Sequence, residues 1–141
     1  MVVSEIEETL VLVKPDGVAR NLTGEILRRI EAKGYQLVDS RLVHADRELL
    51  AKHYAEHEGK PFYEPLIQFM ESGPVVAIRV AGHRVIEGFR SLAGTTDPTT
   101  AAPGTIRGDL GRDWGLPVQQ NLVHGSDSPE TAARELALWF S

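Results

Sequence analysis

Short apolar strands that alternate with amphipathic helices predict an α/β fold for this chain of 141 residues. Three β-prone runs, TLVLV, YQLVDSRLVHA and PVVAIRV, are each followed by a turn or by residues at helical spacing. A fourth run, NLVHG, follows a stretch rich in Gly, Pro, Thr and Asp. When the middle helices are counted as one crossover, the order of elements is β-α-β-β-α-β. We therefore predict a ferredoxin-like α+β sandwich, with a four-stranded antiparallel sheet, helices on its faces and a long loop.

Capping and turn residues mark the ends of the predicted elements in the first half of the chain. The turn KPDG ends the first strand. Helical spacing then runs from Thr23 to Lys33, with Thr23 as the cap and Gly34 as the stop. Asp46 is placed to cap the helix after the second strand. The segment PFYEPLIQFMESG predicts another short helix, which ends at a Gly-Pro pair.

The second half of the chain is predicted to contain a helix, a long loop, a strand and a final helix. An apolar stripe at helical spacing ends at Gly94 and consists of Val85, Ile86, Phe89 and Leu92. From Gly94 to Gln120 the periodicity is lost, and we expect a long loop, which in a compact domain is usually functional or disordered. Ser128 and Pro129 predict the start of a last helix that continues through Trp139.

Composition and charge are those of an acidic globular protein. The chain is 42% hydrophobic and 25% charged, which suits one domain over residues 1–141. Its net charge of -5 argues against a protein whose main ligand is nucleic acid or an anionic membrane. The absence of cysteine excludes disulfides, thiolate metal sites and thiol nucleophiles.

The N-terminal segment and the apolar runs bear on the location of the protein. The first residues, MVVSEIEETL, carry acids where a signal peptide carries basic residues. No run approaches the roughly 18 apolar residues that a membrane span requires. We therefore expect a soluble cytoplasmic protein.

A histidine stands where the last strand gives way to a turn, and a carboxylate follows on the last helix. His124 in this position could simply cap the strand. Glu135 borders the inward stripe of the helix, which consists of Ala132, Leu136, Trp139 and Phe140. A buried carboxylate there needs a partner; by accepting from one imidazole nitrogen it would leave the other free as a nucleophile. Ser126 and Thr131 could support this pair, whereas the simpler alternative is a Glu135 that reaches solvent.

Three cationic residues occupy the ends of different predicted elements. Lys14, Arg90 and Arg107 each stand beside small or turn-forming residues, and Thr96 adds a hydroxyl. Taken singly, each cation is more simply a solvated surface charge. If the fold brings them together, they supply the several convergent donors that a triphosphate needs.

The aromatic and histidine residues give weaker signals. Phe62 or Tyr63 could stack on a base, although a ring one helical turn from Leu66 is more often part of the core. His53 and His57 are four residues apart, but no third ligand is evident in the sequence. We therefore predict no metal ion held directly by protein side chains.

Four segments, in order, resemble the nucleoside diphosphate kinase family over nearly the whole chain. TLVLVKPDGV is similar to the opening strand and lysine of the family, and HYAEHEGKPFYEPLIQFMESGPVVA to its middle helices and third strand. GTTDPTTAAPGTIRGD resembles its long loop, and NLVHGSDS its active-site signature. On these segments the chain is identified as a member of the family.

The resemblance implies a function and a role for each matching residue. His124 would take the γ-phosphate from a nucleoside triphosphate as a phosphohistidine and pass it to a nucleoside diphosphate, which maintains NTP and dNTP pools by a ping-pong mechanism. Glu135 would orient this histidine, with Ser126 beside it. Phe62 would stack on the base next to Leu66. The remaining phosphate, ribose and catalytic positions match Lys14, Tyr54, Arg90, Thr96, Arg107 and Asn121.

The resemblance also implies a cofactor and an assembly. Mg²⁺ would be held by the nucleotide phosphates rather than by protein carboxylates. Stacking on a phenyl ring, with few hydrogen bonds to the base, would allow broad nucleotide specificity. Family members are expected to form homo-oligomers.

One segment departs from the family pattern. Between Arg107 and Asn121, the sequence GDLGRDWGLPVQQ is longer than the family pattern. The unmatched residues are Arg112, Trp114, Leu116 and Pro117. This departure bears on contacts to the base and on the number of subunits, whereas the flanking Arg107 and Asn121 are intact.

Three other functions are compatible with parts of the sequence. A non-catalytic ferredoxin-like regulatory module would bind nucleotide without forming a phosphoprotein. A histidine phosphocarrier would form a phosphohistidine but would not need cations around it. A nucleic-acid binder is disfavoured by the net charge and by the few aromatic residues.

Overall fold

The strands form one antiparallel sheet in the order β2-β3-β1-β4, which confirms the predicted four-stranded arrangement. The computed structural model describes residues 5–141. Residues 1–4, which begin the segment that argues against a signal peptide, lie outside the described residues. The strands are β1 (Ile6–Val13), β2 (Gln36–Val43), β3 (Val75–His83) and β4 (Val123–Gly125).

Seven α-helices connect or flank these strands among the described residues: α1 (Pro15–Ala19), α2 (Thr23–Lys33), α3 (Arg47–His53), α4 (Tyr63–Glu71), α5 (Val85–Ala93), α6 (Ile106–Leu110) and α7 (Pro129–Trp139). A 3-10 turn at Ala55–His57 follows α3. None of the helices within residues 5–141 combines the length and the apolar composition that crossing a membrane requires.

The observed helix ends agree with most of the predicted signals. Asp46 accepts a hydrogen bond from the Leu49 amide, Ser128 caps α7, and Gly34 ends α2 with a φ of 104°. The prediction that Thr23 caps α2 is wrong. Leu22 occupies the cap position, and Thr23 is the first helical residue.

The helices α1 and α6 were not predicted, and α6 corrects the expectation of an unbroken loop from Gly94 to Gln120. Each helix has five residues and includes a glycine, so neither has the length that gives a clear apolar period. Pro15 begins α1, and the Thr105 hydroxyl caps α6 by accepting from the Gly108 amide.

Both faces of the sheet are covered, and alternate residues of β1 belong to opposite layers. Val11 and Val13 pack against the layer that contains α2 and α5, whereas Leu10 and Leu12 pack against the layer that contains α3, α4 and α7. Because β1 lies between two strands and under two helical layers, it reads as a continuous apolar run rather than an alternating one.

The short strand β4 places the site. It pairs with the end of β1, and His124 lies opposite Leu12. Lys14 comes directly after Val13, the last residue of β1. The Lys14 amide donates to the Leu122 carbonyl oxygen at 2.8 Å, which extends this pairing by one residue. Residues that are far apart in the chain therefore meet where β1 ends and β4 begins.

We expect Gly125→Ala to lower the free energy of unfolding by about 1–3 kcal/mol, because overpacking a core displaces its neighbours. A Cβ at Gly125 would lie 2.6 Å from Cδ2 of Phe89, whose ring is fully buried. Urea denaturation at one fixed protein concentration measures the change.

The matched control is Gly24→Ala on α2, where an added Cβ meets no atom within 4 Å. We expect this variant to be neutral or slightly stabilising, since alanine favours the helix. Equal unfolding midpoints for the two variants would contradict the packing at Gly125.

Candidate active site

A hydrogen bond between β4 and α7 joins His124 to Glu135. The Nε2 atom of His124 lies 2.8 Å from Oε1 of Glu135, and the Ser126 hydroxyl donates to the same oxygen at 2.7 Å. Glu135 is 3% exposed, so the alternative of a carboxylate that reaches solvent is wrong. Thr131 does not join this group, because its amide and its hydroxyl both interact with the Ser128 hydroxyl.

The partners of Glu135 define which nitrogen of His124 is available. Burial raises the pKa of Glu135, but the hydrogen bonds from His124 and Ser126 and the nearby imidazoles lower it overall. Glu135 is therefore a carboxylate, which can only accept. The Nε2 atom of a neutral His124 must then carry the proton, which leaves the lone pair on Nδ1.

A second buried histidine lies behind this pair. His53 accepts a hydrogen bond from the Trp139 indole at Nδ1, 3.1 Å away, and its ring packs edge-on against His124 at 4.7 Å between centroids. Burial, and to a lesser degree the neighbouring His124, lowers the pKa of His53 to about 3. The His53 side chain is therefore uncharged at ordinary pH and packs against the His124 ring.

The side chains of His53, His124 and Glu135 place three potential metal-ligand atoms within 4.8 Å of one another. This cluster was not predicted from the sequence, in which His53 pairs at helical spacing with His57 and lies far from His124 and Glu135. In the structure, Nδ1 of His53 accepts from the Trp139 indole and Nε2 of His124 is held by Glu135. Because these two nitrogens already have protein partners, we assign the cluster to positioning His124 rather than to a metal ion.

A cavity of about 720 Å³ opens in front of His124. The residues that line it include six of the sequence-predicted positions, Lys14, Arg90, Thr96, Arg107, Asn121 and His124. The three cations thus converge from the end of β1, from α5 and from α6, as a polyphosphate site requires. His57 also lines the cavity, and the sequence analysis had considered it only as a metal ligand.

Hydrogen bonds hold the cavity wall in place. The Lys14 ammonium donates to Oδ1 of Asn121 at 2.9 Å, and the Asn121 amide donates to the Thr96 carbonyl oxygen at 3.1 Å. The Arg107 guanidinium donates to three carbonyl oxygens, those of Gly94, Asn121 and Val123. The loop, α6 and β4 are therefore tied to one another around the cavity.

The cations are held in a partly dehydrated and mutually repelling group. Burial and the charge of Arg107 lower the pKa of Lys14 to about 8. Burial and the charge of Arg90 lower the pKa of Arg107 to about 10. An anion in the cavity would relieve this repulsion, so the electrostatics favour a phosphate-bearing ligand.

Three other predicted residues do not line the cavity. The Tyr54 ring is buried, with its centroid 4.5 Å from that of His53, and its hydroxyl has no hydrogen-bond partner among the described residues. Phe62 is 48% exposed, and its ring centroid lies 5.3 Å from that of His57, which lines the cavity. Leu66 packs against the core, as does Tyr63.

The lengthened loop lies beside α1 rather than in the cavity. Cζ of Arg112 lies 4.5 Å from the ring centroid of Trp114, and that of Arg20 lies 5.9 Å from it. Within the described part of the chain, the cavity wall includes Arg107 and Asn121 but no residue of 111–120. Trp114 and Leu116 are exposed on the surface.

Comparison with known proteins gives one consistent result. A sequence model of the family described as Nucleoside diphosphate kinase matches residues 7–141. The chain belongs to the nucleoside diphosphate kinase family. It is 62% identical over 135 residues to the nucleoside diphosphate kinase of Mycobacterium avium, which covers 95% of this chain and 96% of the relative. It is 58% identical to that of Streptomyces coelicolor, with the same coverage.

Solved structures of family members have the same fold. The Halobacterium salinarum nucleoside diphosphate kinase in complex with CDP is 47% identical, with a TM-score of 0.90, covering 97% of this chain and 89% of that one. The Borrelia burgdorferi enzyme, a transition-state mimic with vanadate and ADP, is 34% identical, with a TM-score of 0.89, covering 96% and 88%. The predicted ferredoxin-like α+β fold is confirmed by these neighbours and by the sheet order.

We expect Glu135→Gln to lower kcat/KM for phosphoryl transfer by about 10–100-fold, as the loss of an outer partner of a reactive imidazole commonly does. A neutral amide still accepts from Nε2 of His124 but no longer stabilises positive charge on the ring. Steady-state transfer from ATP to CDP measures the change.

The control is Glu130→Gln, which removes the same charge from an exposed position on the same helix. Circular dichroism establishes that both variants fold. Equal losses in the two variants would contradict a specific role for the Glu135–His124 contact.

Proposed function

We propose that the γ-phosphoryl group passes from a nucleoside triphosphate to a nucleoside diphosphate through Nδ1 of His124. Membership in the family assigns the overall activity, which is phosphoryl transfer between nucleotides. The observation that carries the route is the state of His124. Its Nε2 is held by buried Glu135, and its ring lines a cavity with three cations.

The proposed reaction consists of two similar displacements. In the first, the Nδ1 lone pair attacks the γ-phosphorus, the bond to the β–γ bridging oxygen breaks, and the nucleoside diphosphate leaves with that oxygen. In the second, a terminal β-phosphate oxygen of another nucleoside diphosphate attacks the phosphorus, and the P–N bond breaks. The Nε2 proton stays on His124 throughout, because Glu135 stabilises the positive charge on the phosphorylated ring.

The cations supply charge neutralisation and position the phosphates. Phosphoryl transfer needs little covalent help beyond the nucleophile, so Lys14, Arg90 and Arg107 together with in-line geometry form a sufficient set. The Thr96 hydroxyl is a further donor at the cavity wall. The Asn121 side chain orients the Lys14 ammonium toward the phosphates.

The donor set also bears on the cofactor. Within residues 5–141, the side chains that line the cavity include no carboxylate. A Mg²⁺ ion would therefore be held by phosphate oxygens of the nucleotide, where it would neutralise charge, rather than by acidic side chains of the protein.

Phe62 supports broad nucleotide specificity. Its exposed ring stands next to His57 at the cavity, and every base offers a face on which a ring can stack. The relatives of known structure hold CDP in one case and ADP in another, which are a pyrimidine and a purine nucleotide. We infer that this chain accepts both.

We expect the wild-type protein to acquire label from γ-labelled ATP and Mg²⁺ and to release it to CDP. After nucleotide is removed, the protein-bound label should be acid-labile and alkali-stable, as a phosphoramidate is. His124→Ala should acquire none, and chelation of Mg²⁺ with EDTA should strongly reduce labelling of the wild type.

The matched control is His83→Ala, which removes an exposed histidine at the end of β3 and should label like the wild type. Label that stays on the protein when CDP is added would indicate a phosphocarrier. Nucleotide binding without label would indicate a non-catalytic binding module.

We further propose that copies of the chain associate through β2. This strand is at the edge of the sheet, and nearly all its residues are exposed, including Val38 and Leu42, the latter 68% exposed. A long edge strand with apolar side chains offers unpaired backbone groups to a second strand. A second copy of β2 is the partner that satisfies both features.

We expect Leu42→Lys to weaken this association, because it places a charge in an apolar contact and repels its counterpart. Sedimentation equilibrium over a range of protein concentrations measures the mass. Glu31→Lys, on the exposed part of α2, is the control. An unchanged mass for Leu42→Lys would exclude β2 as the interface, and a monomeric wild type would exclude the homo-oligomer.

A further inference from the structure

We propose that Asp16 is a positioning residue for this reaction, which holds the backbone of Leu122 and, with it, the arrangement of Lys14 and Asn121. The proposal rests on the function proposed above, because it assigns a task to a residue behind the same cavity. Asp16 itself does not line the cavity, although it lies two residues after Lys14.

The turn after β1 contacts both polar groups of the Leu122 backbone. The Leu122 amide donates to Oδ2 of Asp16 at 3.1 Å, and the Leu122 carbonyl oxygen accepts from the Lys14 amide at 2.8 Å. Asp16 is 8% exposed, so the first of these is a buried hydrogen bond to a charged group. These two hydrogen bonds, from Lys14 and from Asp16 at the start of α1, therefore form a clamp on Leu122, the residue before β4.

Leu122 needs such a clamp because its backbone is strained. Its φ is 72°, in the left-handed region that residues with a Cβ rarely adopt. The Leu122 side chain is fully buried, which rules out glycine as a simple solution at this position. Strained backbone of this kind persists only where the surroundings hold it, and it commonly lies at functional sites.

The close approach of Gly17 supports the same interpretation. A Cβ at Gly17 would lie 2.8 Å from Cγ1 of Val13 and 3.2 Å from the Leu122 carbonyl oxygen. A side chain at this position would therefore displace Val13 and crowd the Leu122 carbonyl oxygen. Gly17 allows the close approach to Leu122, and Asp16 makes the hydrogen bond to its amide.

The strained residue stands between two groups of the site. Asn121 precedes it and accepts from the Lys14 ammonium, while His124 follows two positions later. A change in the backbone at Leu122 would rotate Asn121 away from Lys14 and alter the path of β4 toward His124. Asp16 therefore acts on the reacting groups through the backbone.

Asp16 also places a negative charge that acts on Lys14 and Arg107. Its Oδ1 atom is buried and has no hydrogen-bond partner among the described residues. The charged and titratable groups around Lys14 are Asp16 on α1, His53 on α3, Arg90 on α5 and Arg107 on α6, together with His57 and His124 in the wall of the same cavity. Among these, only Asp16 raises the pKa of Lys14, against the effects of burial and of Arg107. It acts on the pKa of Arg107 in the same direction.

The experiment compares Asp16→Asn with Asp16→Ala. The asparagine keeps an acceptor for the Leu122 amide but removes the charge, whereas the alanine removes both. We would measure kcat/KM for ATP as a function of pH with CDP as the acceptor, because neither adenine nor cytosine loses a proton in the alkaline range. This parameter reports the ionisation of the free enzyme.

We expect the alkaline limb of Asp16→Asn to move to lower pH by about one unit, because an opposite charge at close range stabilises the protonated ammonium. Lys14 then loses its proton below the value of about 8 that it has in the native protein. Asp16→Ala should in addition lower kcat by about tenfold relative to Asp16→Asn, since it leaves the Leu122 amide without a partner.

Two controls define the assignment. Lys14→Arg should abolish the alkaline limb near pH 8, which assigns that limb to Lys14. Glu31→Gln removes an equal charge from an exposed position on α2 and should leave the profile unchanged. Thermal unfolding of each variant establishes that the comparison is made on folded protein.

The outcomes separate this proposal from the proposed function. An Asp16→Asn profile identical to that of Glu31→Gln would overturn the role of the charge. Equal kcat values for folded Asp16→Asn and Asp16→Ala would overturn the role of the hydrogen bond. Failure of the proposed function is distinct, since the wild type itself would then acquire no chaseable label at His124.

Discussion

The buried hydrogen bond between Glu135 and His124 is the contact on which the rest of the site depends. Burying a carboxylate is costly unless its oxygens are paired, and Oε1 of Glu135 is paired with both His124 and Ser126. This requirement ties α7 to β4 across the end of the sheet. It also defines the tautomer of His124, so the same contact that satisfies the buried carboxylate of the helix leaves the Nδ1 lone pair of His124 available.

The cavity in front of His124 has the opposite charge, because its wall carries cations. Three cations converge there without a carboxylate in the described wall. Burial first, and the neighbouring positive charge second, lower the pKa values of Lys14 and Arg107. Carbonyl oxygens hold the Arg107 guanidinium without neutralising its charge. The site therefore keeps its carboxylates, Glu135 and Asp16, behind the cavity and an excess of positive charge in the cavity wall, which suits a polyphosphate that binds and is released.

Strands and amphipathic helices that extend over several residues could be predicted from the sequence. Very short helices and residues with a strained backbone could not. The apolar run of β1 is evident in the sequence. Periodicity put Glu135 beside the inward stripe of α7 but left open whether it reached solvent, and the places of the cations at the ends of elements allowed them to converge without requiring it. The helices α1 and α6 are too short to show a period, and the cap of α2 at Leu22 depends on the turn before it. The left-handed Leu122 and the indole contact of His53 are tertiary effects, which no local pattern reports.

The loop between Arg107 and Asn121, in which the sequence departs from the family pattern, is attached to the protein away from the cavity. Arg112 and Arg20 are far apart in the sequence, but the guanidinium of each lies near the Trp114 ring. These contacts attach the loop to the end of α1. The Arg20 guanidinium also donates to the Leu110 carbonyl oxygen at 2.7 Å, at the point where α6 ends. The extra residues are thus anchored between α1 and α6, whereas Asp16 and Arg107 hold the segment from Asn121 to Val123 independently. These contacts come from Asp16 and Arg107, which lie outside residues 111–120, so the position of Asn121 beside Lys14 does not require contacts from the loop.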